Sequence, residues 1–130
     1  MRLGLSKRGD YAVRAVLHLA RNEGRGQIKG AEIAEQMDIP LKFLPQIMST
    51  LARDGIVLST PGARGGYALA RPPQEITLLG VIESVEGALA ARECVLRGGP
   101  CHWDDVCVLH ESWRGIQEQL RASLDGVGFA

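Results

Sequence analysis

The chain has 130 residues, of which 45% are hydrophobic and 23% charged, so it can form one hydrophobic core and is too apolar for a disordered protein. Its apolar runs are all interrupted by charges or glycines, which excludes a membrane-spanning segment, and its N-terminus lacks the apolar region of a signal peptide. Its 15 basic and 15 acidic residues cancel, but eleven of the basic and six of the acidic ones lie within residues 1–73. We therefore expect a cytoplasmic protein whose N-terminal part suits a polyanionic partner.

Three helices are predicted in the first half of the chain. From Asp10 to Arg21, apolar residues recur three and four positions apart, which is the pattern of an amphipathic helix. A short helix is predicted over Gly30–Met37, with no capping side chain at its start. After a tight turn, a third helix is predicted over Leu41–Asp54, with a polar stripe opposite its apolar face. The residues expected on that buried face are Phe43, Leu44, Ile47, Met48 and Leu51.

A β-hairpin is predicted to follow the third helix. Its strands are Ile56–Thr60 and Tyr67–Ala70, joined by a glycine-rich turn that carries Arg64. The order helix, helix, turn, helix, hairpin predicts a winged helix-turn-helix. Because a Pro-Pro pair and a change in charge sign follow, we assign residues 1–73 to this region. Residues 74–130 form the second part of the same compact domain.

The second part is predicted to contain two helices. Thr77 is expected to cap the first of them, and Gly87 to end it. Asp104 or Asp105 is expected to cap a final helix, with a frayed tail after Leu124. Apolar residues step by three and four along that helix, as in the seam of a coiled coil, so a second copy of the chain is expected to cover it. The fold class is thus mainly α, a winged helix-turn-helix with a small hairpin wing and a long dimerisation helix. The seam residues are Val106, Leu109, Trp113, Ile116 and Leu120.

The polar stripe and the hairpin together indicate double-stranded DNA as the partner. A recognition helix reads base edges in the major groove, while a wing crosses the phosphates or enters the minor groove. Lys42 suits guanine or phosphate, Gln46 suits adenine, and Arg64 suits a narrow minor groove. Such a stripe is usually only the solvated face of a helix, but here it follows a tight turn and precedes a basic hairpin. The residues predicted to contact DNA are Lys42, Gln46, Ser49, Arg64 and Gly65.

The three cysteines are grouped near a histidine. Cys94, Cys101 and Cys107 precede His110, and three thiolates with an imidazole suit an iron–sulfur cluster or zinc. The cysteines are spread along a Gly-Pro loop rather than paired in close knuckles, which favours an iron–sulfur cluster over zinc. A zinc-dependent or thiol-based regulator remains the alternative. No nucleophile, base and orienting group can be assembled, so an enzyme is not expected.

Four stretches of the sequence form recognisable motifs. They are Arg2-Leu3, Asp10-Tyr11-Ala12-Val13-Arg14, Gly65-Gly66-Tyr67-Ala68-Leu69-Ala70, and Cys107-Val108-Leu109-His110 followed by Trp113. These motifs resemble those of the IscR/NsrR/RirA family of bacterial winged-helix regulators. The resemblance implies a homodimeric DNA-binding repressor or activator with an iron–sulfur cluster on the three cysteines, which senses iron–sulfur or iron status, redox state or nitric oxide.

The resemblance leaves two candidates for the fourth cluster ligand. IscR-like members use a histidine at the position of His110 and hold a 2Fe–2S cluster. NsrR-like members can use an aspartate of the partner subunit, at the position of Asp10, and hold a 4Fe–4S cluster. The run from Cys107 to Trp113 favours His110 and 2Fe–2S. Pro45 and Pro61 replace a glutamate and an arginine of the IscR branch, and the first cysteine gap is one residue longer, so the target DNA sequence cannot be transferred.

Overall fold

The computed structural model describes residues 6–87 and 108–130. In these two ranges the chain forms five α-helices and one antiparallel β-hairpin, which is the predicted winged helix-turn-helix followed by two further helices. Among the described helices, none is both long and apolar enough to cross a membrane. In chain order the elements are α1 (Lys7–Arg21), α2 (Gly30–Gln36), α3 (Leu44–Arg53), β1 (Val57–Thr60), β2 (Gly66–Leu69), α4 (Leu78–Glu86) and α5 (His110–Asp125).

Helix α1 begins at Lys7, three residues before the predicted start. Ser6 caps it, because the Ser6 hydroxyl accepts a hydrogen bond from the Gly9 amide at 3.3 Å. The Ser6 amide in turn donates to Glu86 Oε1 of α4 at 2.6 Å. A Cβ atom on Gly9 would lie 2.7 Å from the same oxygen, so glycine at this position allows α4 to approach the start of α1.

The helix-turn-helix turn is held by Arg14 of α1. Its guanidinium donates to the Met37 and Asp38 carbonyls at 3.2 and 3.4 Å, between α2 and α3. The Asp38 backbone is left-handed, with φ of 55°, a conformation that aspartate tolerates better than most residues. As predicted, α2 has no side-chain cap, since its N-cap residue is Lys29.

The predicted third helix is divided in two. Leu41–Phe43 form a 3-10 turn, and α3 proper begins at Leu44 with Pro45 in its first turn. The prediction that Phe43 is buried is wrong: Phe43 is 43% exposed. A 3-10 turn has three residues per turn rather than 3.6, which rotates Phe43 off the face shared by the buried residues of α3.

The core lies between α1, α3 and α4. Thr77 caps α4 as predicted, because its hydroxyl accepts from the Gly80 amide at 3.0 Å, and the helix ends at Gly87. The hairpin extends this core on one side through Val57 of β1. Fully buried side chains in the core include Val16, Ile33, Leu44, Ile47, Met48, Leu51, Ile76, Val81 and Ile82.

The hairpin is joined to the segment between α1 and α2. Val57 pairs with Leu69 at one end of the ladder and Thr60 with Gly66 at the other. On the edge of β2 that faces away from β1, the Tyr67 backbone exchanges two hydrogen bonds with the backbone of Ile28, at 2.9 and 2.8 Å. The wing is therefore fixed to the helix-turn-helix by backbone hydrogen bonds as well as by its own connection to α3.

Helix α5 and the tail differ from the prediction. Helix α5 begins at His110, with Leu109 as its N-cap and no side-chain cap. The predicted cap residues Asp104 and Asp105 lie outside the described residues. The tail is docked rather than frayed. Its Val127 carbonyl accepts from the Leu78 amide at 2.8 Å, and its Phe129 packs against the core. These contacts attach the tail to the start of α4.

Candidate functional site

The residues predicted to read DNA bases lie on the exposed side of the recognition helix. Gln46 and Ser49 are exposed on α3, opposite the buried face that contains Ile47 and Met48. Lys42 is also exposed, but it belongs to the 3-10 turn rather than to the helix. The structure thus brings Lys42, Gln46 and Ser49 to one outer surface next to the helix-turn-helix turn.

A stack of aromatic rings and cations supports Lys42. The Lys42 ammonium lies 5.0 Å from the centroid of the Phe43 ring. Phe43 stacks on Tyr11 of α1 with 6.2 Å between ring centroids, and the Arg14 guanidinium lies 5.9 Å from the Tyr11 ring. Sequence patterns did not indicate this stack, because it needs the exposed orientation that the 3-10 turn gives to Phe43.

The wing presents Arg64 at its exposed tip, next to a buried glycine. A Cβ atom on Gly65 would lie 1.9 Å from the Thr60 carbonyl oxygen, and the Gly65 amide donates to Gly62 O at 3.0 Å. Gly65 therefore shapes the turn that presents Arg64. Any contact that Gly65 makes with DNA has to use its backbone.

Lys29, the N-cap residue of α2, contacts the wing, and the sequence analysis missed this contact. The Lys29 ammonium donates hydrogen bonds to the carbonyls of Gly62 and Ala63 in the wing turn. These residues follow Lys29 by 33 and 34 positions in the sequence. The bond to Gly62 is 3.5 Å long. The Lys29 side chain thus links the start of α2 to the loop that holds Arg64.

An ion-pair network fastens the end of α1 to α2. The Arg25 guanidinium donates to both carboxylate oxygens of Glu32 at 3.0 Å, and the imidazole Nε2 of the buried His18 lies 2.9 Å from Glu32 Oε2. These hydrogen bonds, chiefly those from Arg25, lower the pKa of Glu32 to about 2. The Glu32 carboxylate raises the pKa of Arg25 in return.

The candidate cluster ligands are only partly described. Cys94, Cys101 and Cys107 lie outside the described residues, and His110 is the first residue of α5. The Asp10 carboxylate is bound by Arg14, with Nε 3.0 Å from Oδ1 and Nη2 2.8 Å from Oδ2. Within 6–87 and 108–130, no group of three or more His, Cys, Asp and Glu side chains is arranged to hold a metal ion.

Most of the predicted seam that the structure describes, at the start of α5 and along it, is exposed, and Val106 lies outside the described residues. Leu109, Ile116 and Leu120 are 40%, 51% and 43% exposed, respectively, on one side of the helix. Trp113 is half-buried between them, and its indole Nε1 is buried without a hydrogen-bond partner in the part of the chain that the structure describes. An apolar face of this kind is usual where a helix packs against another protein surface.

The fold, the exposed face of α3 and the basic wing define a winged helix-turn-helix transcription regulator that binds DNA. The family model named Rrf2, described as an iron-dependent transcriptional regulator, matches residues 5–130. The chain therefore belongs to the Rrf2 family, which confirms the resemblance stated above and the expectation that the protein is not an enzyme.

Individual relatives agree with this assignment. The chain is 36% identical over 123 residues to the HTH-type transcriptional regulator IscR of Klebsiella pneumoniae strain 342, covering 95% of this chain and 75% of that protein. Among solved structures it is similar to CymR, the global cysteine regulator of B. subtilis, with a TM-score of 0.81 and 28% identity over 98% of this chain and 94% of CymR. Its similarity to T. potens IscR gives a TM-score of 0.79 and 29% identity over 98% and 83% of the two chains.

Proposed function

We propose that the protein is an iron–sulfur cluster-dependent transcription regulator in which Cys94, Cys101, Cys107 and His110 hold the cluster. The observation that carries the proposal is the donor set: three cysteines and a histidine lie in the stretch of sequence that runs from the end of α4 to the start of α5. Thiolates with one imidazole are suitable ligands for iron in such clusters. The IscR relatives support the same assignment.

A buried hydrogen-bond donor near His110 in the sequence fits such a group. The buried Trp113 indole N–H lies one helical turn after His110 and lacks an acceptor among the described residues. Sulfur atoms of iron–sulfur clusters accept hydrogen bonds of this kind, and these bonds influence the reduction potential. When bound, a cluster would supply a redox-active centre that reacts with oxidants and nitric oxide.

His110 is a better fourth ligand than Asp10. Both carboxylate oxygens of Asp10 are engaged by Arg14, so ligation by Asp10 would break two charge-assisted hydrogen bonds. It would also disturb the residue that holds the turn before α3. This cost favours His110, and with it a 2Fe–2S rather than a 4Fe–4S cluster.

On DNA, Lys42, Gln46 and Ser49 enter the major groove and Arg64 reaches the minor groove or its phosphates. Gly65 contributes through the shape of the wing turn. Two copies of the chain pack through the exposed face of α5, which sets the spacing of two recognition helices. Half-sites about 34 Å apart require a fixed spacing, so a change in the cysteine segment next to α5 alters affinity.

A second candidate function is a thiol-based or zinc-dependent regulator of the same architecture. The observation that favours it is the structural similarity to CymR, whose TM-score of 0.81 is close to the 0.79 of T. potens IscR. The similarity extends to a structure of oxidised Staphylococcus aureus CymR, with a TM-score of 0.77 and 28% identity over 98% of this chain and 93% of that one. In this case the three cysteines would bind zinc or be oxidised directly.

Metal content separates the two candidates. We expect protein purified without oxygen to contain iron and sulfide in equal amounts and to show the visible absorption of a 2Fe–2S cluster. A Cys101→Ala variant should lose the cluster and the signal-dependent change in DNA affinity while remaining folded. Colourless protein with stoichiometric zinc, or with no metal after anaerobic reconstitution, would exclude the cluster and leave the second candidate.

A further inference from the structure

A short hydrogen bond joins α4 to the end of the recognition helix. The Ser84 hydroxyl of α4 donates to Asp54 Oδ2 at 2.6 Å. Asp54 is the C-cap residue of α3, the helix that presents Gln46 and Ser49. Along the sequence, α4 also precedes the segment that contains the three cysteines.

The position of Asp54 is electrostatically unfavourable for α3 itself. A carboxylate at a helix C-terminus faces the partial negative charge of the last carbonyl groups. The neighbouring Arg53 compensates weakly, because its Nε lies 3.9 Å from Asp54 Oδ1 and its side chain is 75% exposed. The Asp54 carboxylate is thus poorly placed to stabilise α3. Its short hydrogen bond from the Ser84 hydroxyl instead connects it to α4.

The same turns of α4 contact two further elements. Glu83 lies 3.8 Å from Arg121 of α5, and Glu86 accepts the hydrogen bond from Ser6 at the start of α1. Helix α4 is thus held at its sides by α1 and α5, and through Ser84 it holds the end of α3. Besides the packing of both helices in the core, the Ser84–Asp54 hydrogen bond is a direct polar link between α4 and the end of α3.

We propose that Ser84 is a positioning residue: its hydrogen bond to Asp54 makes the placement of the recognition helix depend on α4 and hence on the state of the cysteine segment. The regulatory part of this inference rests on the proposed function. The positioning part depends only on the contact between α4 and α3, and it can be measured without DNA.

The test compares Ser84→Ala, Asp54→Ala, their double variant and Ser84→Thr, which keeps the hydroxyl. DNA affinity is measured for each full-length protein as purified without oxygen and again after metal removal by a chelator. We expect the ratio of the two affinities to fall about three- to tenfold in each alanine variant, with no further fall in the double variant. Ser84→Thr should keep the ratio of the unmodified protein.

Amide hydrogen exchange without DNA is the second readout. The Gly55 and Ile56 amides, bonded to Ala52 and Leu51 carbonyls at 3.1 and 3.0 Å, close the end of α3. We expect faster exchange of both amides in Ser84→Ala, with little change in the thermal midpoint. Unchanged exchange and an unchanged affinity ratio, or additive effects in the double variant, would overturn the proposal. If metal removal does not alter DNA binding by the unmodified protein, the proposed cluster-dependent function is wrong. The role of Ser84 in positioning α3 is then decided by the amide exchange rates and by the DNA affinity of each variant without metal.

Discussion

The Glu32 carboxylate makes a pH-dependent contribution to the stability of the helix-turn-helix. Its pKa in the folded protein is about 2, below the ordinary value of 4.5, because Arg25 and His18 hydrogen-bond to the charged form. Between these two values the unfolded chain binds more protons than the folded one. The stabilisation is therefore complete above the ordinary pKa and is lost as the pH falls towards 2.

Glu32→Gln should remove this contribution. We expect the variant to be less stable than the unmodified protein at pH 7 and the difference to disappear between about pH 5 and pH 2, since Glu32 becomes neutral in that range. Urea unfolding at several pH values measures it. Glu35→Gln, a change at an exposed position of the same helix, is the matched control. A difference that stays constant down to pH 2 would contradict the explanation.

Lys29→Met should weaken DNA binding through the wing. Without the Lys29 ammonium, the Ala63 carbonyl loses this donor and the Gly62 carbonyl keeps only the Gly65 amide of its two described donors, so Arg64 is presented less firmly. We expect a fall in affinity of about three- to tenfold, in line with the loss of about 1 kcal/mol for a hydrogen bond. Fluorescence anisotropy with labelled DNA measures the change.

A double-variant comparison distinguishes this role from a direct phosphate contact. If Lys29 acts by positioning the wing, Lys29→Met should add little in an Arg64→Ala background. An equal loss in both backgrounds, with a weaker dependence on salt, would mean that Lys29 binds phosphate itself.

At the scale of elements, the C-terminal tail holds the start of α4 through backbone hydrogen bonds. The Phe129 amide donates to Pro73 O at 3.1 Å, and the Gly128 backbone bridges to Thr77, the cap residue of α4. Gly128 lies so close to Gln74 that a Cβ atom there would be 3.2 Å from its carbonyl oxygen. The tail therefore holds the start of α4, at the opposite end of the helix from Glu86.

Phe129→Ala should weaken the attachment of the tail to the core. The ring is half-buried against the core, so we expect a loss of about 2 kcal/mol in the free energy of unfolding, less than for a fully buried phenylalanine. Thermal or urea unfolding measures the loss. Val127→Ala, at a more exposed tail position, is the control and should cost less. An unchanged stability in Phe129→Ala would mean that the tail does not stay docked in solution.

At the scale of the whole molecule, α5 determines whether two recognition helices act together. An Ile116→Glu/Leu120→Glu variant places two charges on the exposed apolar face and should convert a dimer into monomers. We expect DNA containing two half-sites to lose most of its affinity, with little change in secondary structure. Sedimentation velocity and circular dichroism measure both results.

A control for charge alone is Ala122→Glu, at an exposed position about half a turn away from the apolar face of α5. This variant should remain dimeric. If the double variant also remains dimeric, or if the unmodified protein sediments as a monomer at micromolar concentration, the proposed dimer surface is wrong.

Helical periodicity in the sequence correctly predicted which α3 side chains are buried and which are exposed. The burial of Ile47, Met48 and Leu51 and the exposure of Gln46 and Ser49 follow from helical spacing, so the recognition helix was recognisable. The exposure of Phe43 was not, because the difference between a 3-10 turn and the first turn of an α-helix is small in sequence and large in side-chain direction.

The contacts that organise the site are long-range and left no local pattern. Arg14 reaches Met37 across 23 positions, Ser84 reaches Asp54 across 30, and Lys29 reaches the wing across 34. Each is a polar side chain that would be equally acceptable on a solvated face. Only the packing of α1, α2 and α4 around α3 and the wing gives these residues their partners.

The hydrogen bond between Ser6 and Glu86 spans 80 positions of the chain, which affects the order of events during synthesis. When the ribosome has made only the first 73 residues, the start of α1 lacks this acceptor, and the core lacks Ile76 and Val81. We expect a fragment ending there to show the narrow amide dispersion of an unfolded chain by NMR. A native-like spectrum would contradict this. We therefore expect residues 1–73 to acquire the DNA-binding shape only after α4 has been translated, and an incomplete polypeptide not to bind promoter DNA.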